Sequence, residues 1–165
     1  MSSQSLFAVL EKLVSLHKSL YNLALQKTEI VKNGDMTGLN ELLQNEQKHL
    51  GAIKTVEAER QKTAVNFLLE RYGAHSKSEP TISDCIDVAK DEEKHELRSL
   101  QQSLAEAIEQ LKERNELNQR LLLQSLQFVH LNLSMVQPQK PQATYGNPVQ
   151  GKKPTAARSL FDSKA

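Results

Sequence analysis

The chain has 165 residues, enough for one domain whose core needs neither disulfide nor metal to hold it together. Its single cysteine, Cys85, excludes an intrachain disulfide and suits a reducing, cytoplasmic compartment. The net charge of +1 is unevenly placed: residues 137–165 carry five basic residues against Asp162, +4, which leaves 16 basic against 19 acidic residues, −3, in residues 1–136. A mildly acidic body argues against a nucleic-acid-binding domain.

There is no Trp, aromatics are 4% of the chain, and Leu, Gln, Glu and Lys dominate, the composition of long helices. An all-α protein follows. The N-terminus carries Glu11 and Lys12 where a signal peptide is apolar, and no run of 18 apolar residues occurs, so neither export nor stable membrane insertion is expected.

In residues 4–32 apolar positions recur at Leu6, Val9, Leu13, Leu16, Leu20, Leu23 and Ile30, a 3-4-3-4 seam broken only by Lys27. Asn33-Gly34-Asp35 then offers a glycine suited to positive φ and an N-cap, the signature of a tight antiparallel reversal. A second helix is expected over about 36–71, with Leu39, Leu43, Leu50, Ile53, Ala64 and Phe67 on its seam and Glu46, Glu57 and Arg60 interrupting it. Gly73 to Pro80 ends it, and Thr81 or Ser83 can cap a short third helix over about 82–89, around Cys85 and Ile86.

From about 91 to 136 the seam resumes through Leu97, Leu100, Leu104, Ile108, Leu111, Asn115, Asn118, Leu122, Ser125 and Val129, with no glycine or proline until Pro138. At ~1.5 Å per residue the first two helices span roughly 44 and 54 Å, and the last is longer than either partner can cover. The predicted architecture is therefore an elongated antiparallel three/four-helix bundle with coiled-coil-like seams. One end of the last helix must overhang, cap the bundle or meet another molecule. The segment 137–165 holds four of the five prolines and is expected to be a disordered basic tail, with Leu160-Phe161 its only dense apolar feature. That pair reads either as part of an ordinary solvated terminus or as a short docking motif.

E-x-x-H occurs twice, Glu46 to His49 and Glu92 to His95, which raises the question of a di-iron carboxylate site. Such a site also needs an inward Glu from each remaining helix, and Glu11 lies off the seam while Glu29 lies near the wrong end. No catalytic, cofactor-binding or metal-ligating residue is assigned. Neither a glycine-rich phosphate loop nor a G-x-S-x-G elbow is present, so no enzyme is expected.

Within residues 121–136 ten of sixteen positions are apolar, far more than the ~100° stripe of a bundle seam. The surplus is either core covered by the other helices or a stripe that receives an apolar helix of another protein. On the second reading the partner-binding residues are Leu122, Leu126, Phe128, Val129, Leu133 and Val136, introduced by Asn115 and Asn118. Polar residues on the seam fix register, or they bond to a partner's backbone. A structural coiled-coil protein that homo-oligomerises through the same stripe is the alternative in another class.

The Gly34-Asp35 reversal followed by Leu39, Leu42, Leu43 and Glu46, and the N-x-x-N start followed by Leu122, Ser125-Leu126 and Phe128-Val129, resembles the FlgN-type flagellar export chaperones over roughly residues 4–136. The resemblance implies a cytosolic chaperone of the hook-filament junction (hook-associated) proteins. It would cover their sticky terminal helices and deliver them to the flagellar type III export apparatus. It also implies a client-binding region beginning around Asn118 and including Leu122, Leu126, Phe128 and Val129. Export-gate contacts would lie toward the extreme C-terminus, for which Tyr145 and Leu160-Phe161 are the candidates.

Overall fold

The computed structural model describes residues 2–73 and 79–137, and among these there is no strand. Four helices follow one another: α1 (Ser2–Asn33), α2 (Met36–Tyr72), α3 (Ile82–Val88) and α4 (Asp91–Val136). The expected all-α bundle is observed, with helix limits within two residues of those the periodicity predicts. The proposed tail, apart from Gln137, lies outside the described residues, and with it Leu160 and Phe161.

Local chemistry sets the helix ends. Gly34 takes φ +67°, a conformation that costs glycine little, and Asp35 caps α2 by accepting the Gly38 N–H at 2.9 Å. At the other end of α2, Gly73 at φ +68° donates its N–H to Leu69. Of the two candidate caps for α3, Thr81 is the one used, in a reciprocal capping box with Asp84.

α1 is the central element. It packs against α2 on one side and α4 on the other, while α2 and α4 make no close backbone approach to each other. Leu6, Leu10 and Leu13 of α1 share one core cluster with Phe67, Cys85, Ile86 and Leu97. Further along, Leu20, Leu23 and Ala24 pack with Leu111. Positions on α1 and α4 thus rise together: the two helices run parallel, and α2 runs antiparallel to both. α3 bridges α2 and α4 at the end where α1 begins. There Arg60 Nη1 donates to the Pro80 carbonyl at 3.1 Å and Gln101 Nε2 to Ser83 Oγ at 3.0 Å.

The polar residues that interrupt the seams have partners, either on a neighbouring element or one turn away on the same helix. Lys27 and Glu46 form an α1–α2 ion pair at 2.9 Å, largely withdrawn from solvent. Arg60 holds Glu57 at 2.6 Å as well as Pro80. Arg71 of α2 meets Glu93 of α4 at 2.7 Å and lies over the Phe67 ring. These pairs also separate the two E-x-x-H motifs. Glu46 is bound to Lys27 near the α1–α2 turn, whereas Glu92 and His95 are exposed at the opposite end, beside the Arg71–Glu93 pair. Among the described residues no group of three or more His, Cys, Asp or Glu side chains could hold a metal ion.

Two positions predicted on the α2 seam stand outside it. Leu43 and Leu50 are 41% and 48% exposed, and α2 buries no residue between Leu42 and Ala64. Because α2 and α4 pack on α1 without closing on each other, no other described helix covers that face of α2.

Candidate partner-binding groove

The two asparagines expected at the start of the binding segment are treated differently by the fold. Asn118 is 2% exposed. Its Nδ2 donates to the Ala24 carbonyl at 2.8 Å and its Oδ1 accepts from Thr28 Oγ1 at 2.6 Å. Thr28 is itself buried and within 3.1 Å of the Ala24 carbonyl. Both the nitrogen and the oxygen of the amide are thus bonded within the protein, and the bonds observed are those of register, one of the two roles its position allowed. Asn115, three residues earlier and so ~60° away around the helix, is exposed instead. Thr28 drew no notice in the sequence, because a lone threonine in a helix carries no signal without the residue opposite it.

That pair fixes where α4 outruns the bundle. Asn118 lies level with Ala24 and Thr28, so Asn33, the last residue of α1, lies level with about Ser125. Beyond it α4 continues to Val136, roughly 16 Å at ~1.5 Å per residue. The α1–α2 turn covers part of this extension. Ile30, Val31, Met36 and Leu39 face Leu122, Leu126 and Val129 across an apolar cavity of about 430 Å³. Leu126 is 55% and Val129 51% exposed on its rim, while Phe128, Leu133 and Val136 stand in solvent away from it. Six of the eight expected contact residues are therefore surface apolar groups or groove wall; Asn115 lines the neighbouring depression, and Asn118 lies beneath it.

That neighbouring depression, about 390 Å³, continues the groove back along the bundle between Glu46 and Leu50 of α2 and Asn115, Gln119 and Leu122 of α4. Leu20 and Lys27 of α1 form its floor. Sequence reading missed the α2 wall. Leu43 and Leu50 have the spacing of ordinary seam residues, and only the placement of α4 shows that they are left uncovered.

The residues gathered here are mostly apolar, with the Lys27–Glu46 pair bonded internally and the amides of Asn115 and Gln119 on the rim, an arrangement suited to holding a helix. The only cysteine, Cys85, is buried on the core side of α3, and its burial pushes the thiol up to about 11. The FlgN protein family model matches residues 1–152. This chain belongs to the FlgN family. The FlgN-family chain is also 35% identical over 166 residues to the uncharacterized protein YvyG of Bacillus subtilis (strain 168), with the whole of both chains covered. No solved structure matches it. Family membership supports a flagellar export-chaperone role in general and flagellar substrate proteins as partners; the family is one of chaperones, not enzymes. No helix among the described residues of this FlgN-family protein is long and apolar enough to cross a membrane.

Proposed function

We propose that the protein is a cytoplasmic type III export chaperone for the flagellar hook-filament junction proteins. It captures their apolar terminal helices on the C-terminal part of α4, keeps them unassembled and delivers them to the export apparatus. The observation that carries this reading is the surface of α4 from Leu121 to Val136. It holds no Asp, Glu, Lys or Arg and eight exposed large apolar side chains, far from the isolated apolar residues usual on a soluble surface.

A client helix that lays its apolar face on Leu122, Leu126, Phe128 and Val129 replaces the self-association it would otherwise undergo. Burying a few such side chains at about 1.5–3 kcal/mol each, less the costs of ordering and association, supports a releasable complex of roughly micromolar to nanomolar affinity. Such exchange needs neither nucleotide nor cofactor. The helical body, residues 1–136, supplies capture. Contact with the export apparatus falls to the segment 137–165, with Leu160 and Phe161 as its docking motif.

The exposed stripe equally invites self-association, the structural coiled-coil alternative. Titration calorimetry of the full chain against the hook-filament junction proteins of the same organism, paired with sedimentation of the chain alone, decides between the two. The chaperone reading predicts a one-to-one complex and a free chain that is monomeric at micromolar concentration. A stable homo-oligomer with no affinity for any junction protein would overturn it.

A further inference from the structure

The groove is open at one end of the bundle and filled at the other. Heptad positions show that it is one continuous feature. On α1, Leu6 and Leu13 pack in the cluster that contains α3, and Leu20 and Lys27, at the next two heptads, form the open floor. On α2, Arg60 holds the entry to α3, and Glu46, fourteen residues earlier, lines the open half. On α4, Gln101 bonds to α3, and Asn115, Leu122 and Val129 continue the same face.

α3 thus shows what the groove accepts: a helix laid across α2 and α4 that turns small and apolar side chains, Cys85, Ile86 and Ala89, toward the core. α3 has only seven residues and covers only the first part of the groove. Beyond it α2 presents Met36, Leu43 and Leu50 at heptad spacing, all exposed, over roughly 21 Å at ~1.5 Å per residue; Met36 and Leu50 line the groove, and Leu43 lies between them on the same helix face.

The charges lining the depression between α2 and α4 are internally matched, because Lys27 and Glu46 bond to each other. An occupant with a charge facing that pair would find no free counter-charge there and would bear its desolvation cost alone. The rim amides of Asn115 and Gln119 can donate to and accept from neutral polar groups.

We propose that the open half receives one amphipathic helix of a client protein, about four turns long and uncharged on its contact face. It lies between α2 and α4 on α1 as the fourth helix of the bundle. The inference rests on the chaperone reading and adds α2 to the binding surface: Leu43 and Leu50 contact the client as directly as Leu126 does. A hydroxyl or amide of the client helix meets Asn115 and Gln119.

The test uses the full chain and, as probe, the C-terminal helical segment of a hook-filament junction protein from the same organism, titrated by fluorescence anisotropy. Leu43→Glu and Leu50→Glu lie on surface positions, and circular dichroism checks that they leave helicity unchanged. Each is expected to weaken binding at least tenfold, as Leu126→Asp does, whereas Glu113→Lys, exposed on α4 outside the groove lining, changes it less than threefold. If Leu126→Asp abolishes binding while both α2 variants bind as wild type, the chaperone reading stands and the groove inference falls. If the wild-type chain binds no junction-protein segment, both fall. A photocrosslinker at position 43 is expected to couple to the probe. Coupling within its own chain or to a second copy in the presence of probe would overturn the proposal.

Discussion

Asn118 shows how much one residue can set in a bundle of leucines. Leucine seams tolerate slippage by a heptad, because one leucine replaces another; a buried amide bonded to Thr28 and the Ala24 carbonyl does not. Asn118→Ala leaves the Thr28 hydroxyl without its partner on α4 and opens a void beside it, and is expected to cost about 2 kcal/mol in chemical denaturation. Asn118→Leu is expected to cost less and to lose uniqueness instead, seen as broadened or doubled amide resonances for α4. At the far end, Glu93 ties α4 to α2. Partial burial pushes its carboxyl up, but the Lys90 backbone N–H, the Ser3 hydroxyl and the Arg71 guanidinium together bring it below the ordinary glutamate value. A depressed folded-state value means that the stabilisation is present above the unfolded-state value and is lost as pH falls through the folded one. Glu93→Gln is therefore expected to lower stability by about 1 kcal/mol at pH 7 and by nothing measurable near pH 2. A deficit independent of pH would contradict that assignment.

At the scale of elements, the helix limits were legible because each rests on neighbours in sequence: Gly34-Asp35, Gly73, and Thr81 with Asp84. The charges on the seams were not. Lys27 and Glu46 read as interruptions along separate helices, and their pairing is set by the register between elements, which no local window contains; the same holds for the bond from Arg60 to the Pro80 carbonyl, although the ion pair of Arg60 with Glu57 is local to α2. The exposure of Leu43 and Leu50 was hidden for the same reason. A heptad pattern states that a face is apolar, and the packing of other helices decides whether it is covered. The Lys27–Glu46 pair gives this a measurable form. Lys27→Met alone leaves a poorly solvated carboxylate and is expected to cost about 3 kcal/mol, and the double change Lys27→Met with Glu46→Leu to recover most of it. A double variant no more stable than the single one would show that the pair matters through packing rather than charge.

For the molecule as a whole, parallel α1 and α4 of unequal length leave the last turns of α4 uncovered by any other described helix, and the charge distribution sharpens the contrast. The acidic body carries its charges elsewhere, and residues 121–136 have none apart from the titratable His130. The excess of apolar residues there was visible in sequence, but not its division between groove wall at Leu122, Leu126 and Val129 and open surface at Phe128, Leu133 and Val136. That division depends on where α1 stops. The central claim is that this stripe is a surface for binding and not core. Leu126→Asp and Val129→Asp test it most directly when stability and binding to a hook-filament junction protein are measured on the same samples. At exposed positions each is expected to change unfolding free energy by less than about 1 kcal/mol, with helicity intact, while client capture is lost. Either variant unfolding the protein, or folding normally and still binding its client at wild-type strength, would contradict the account.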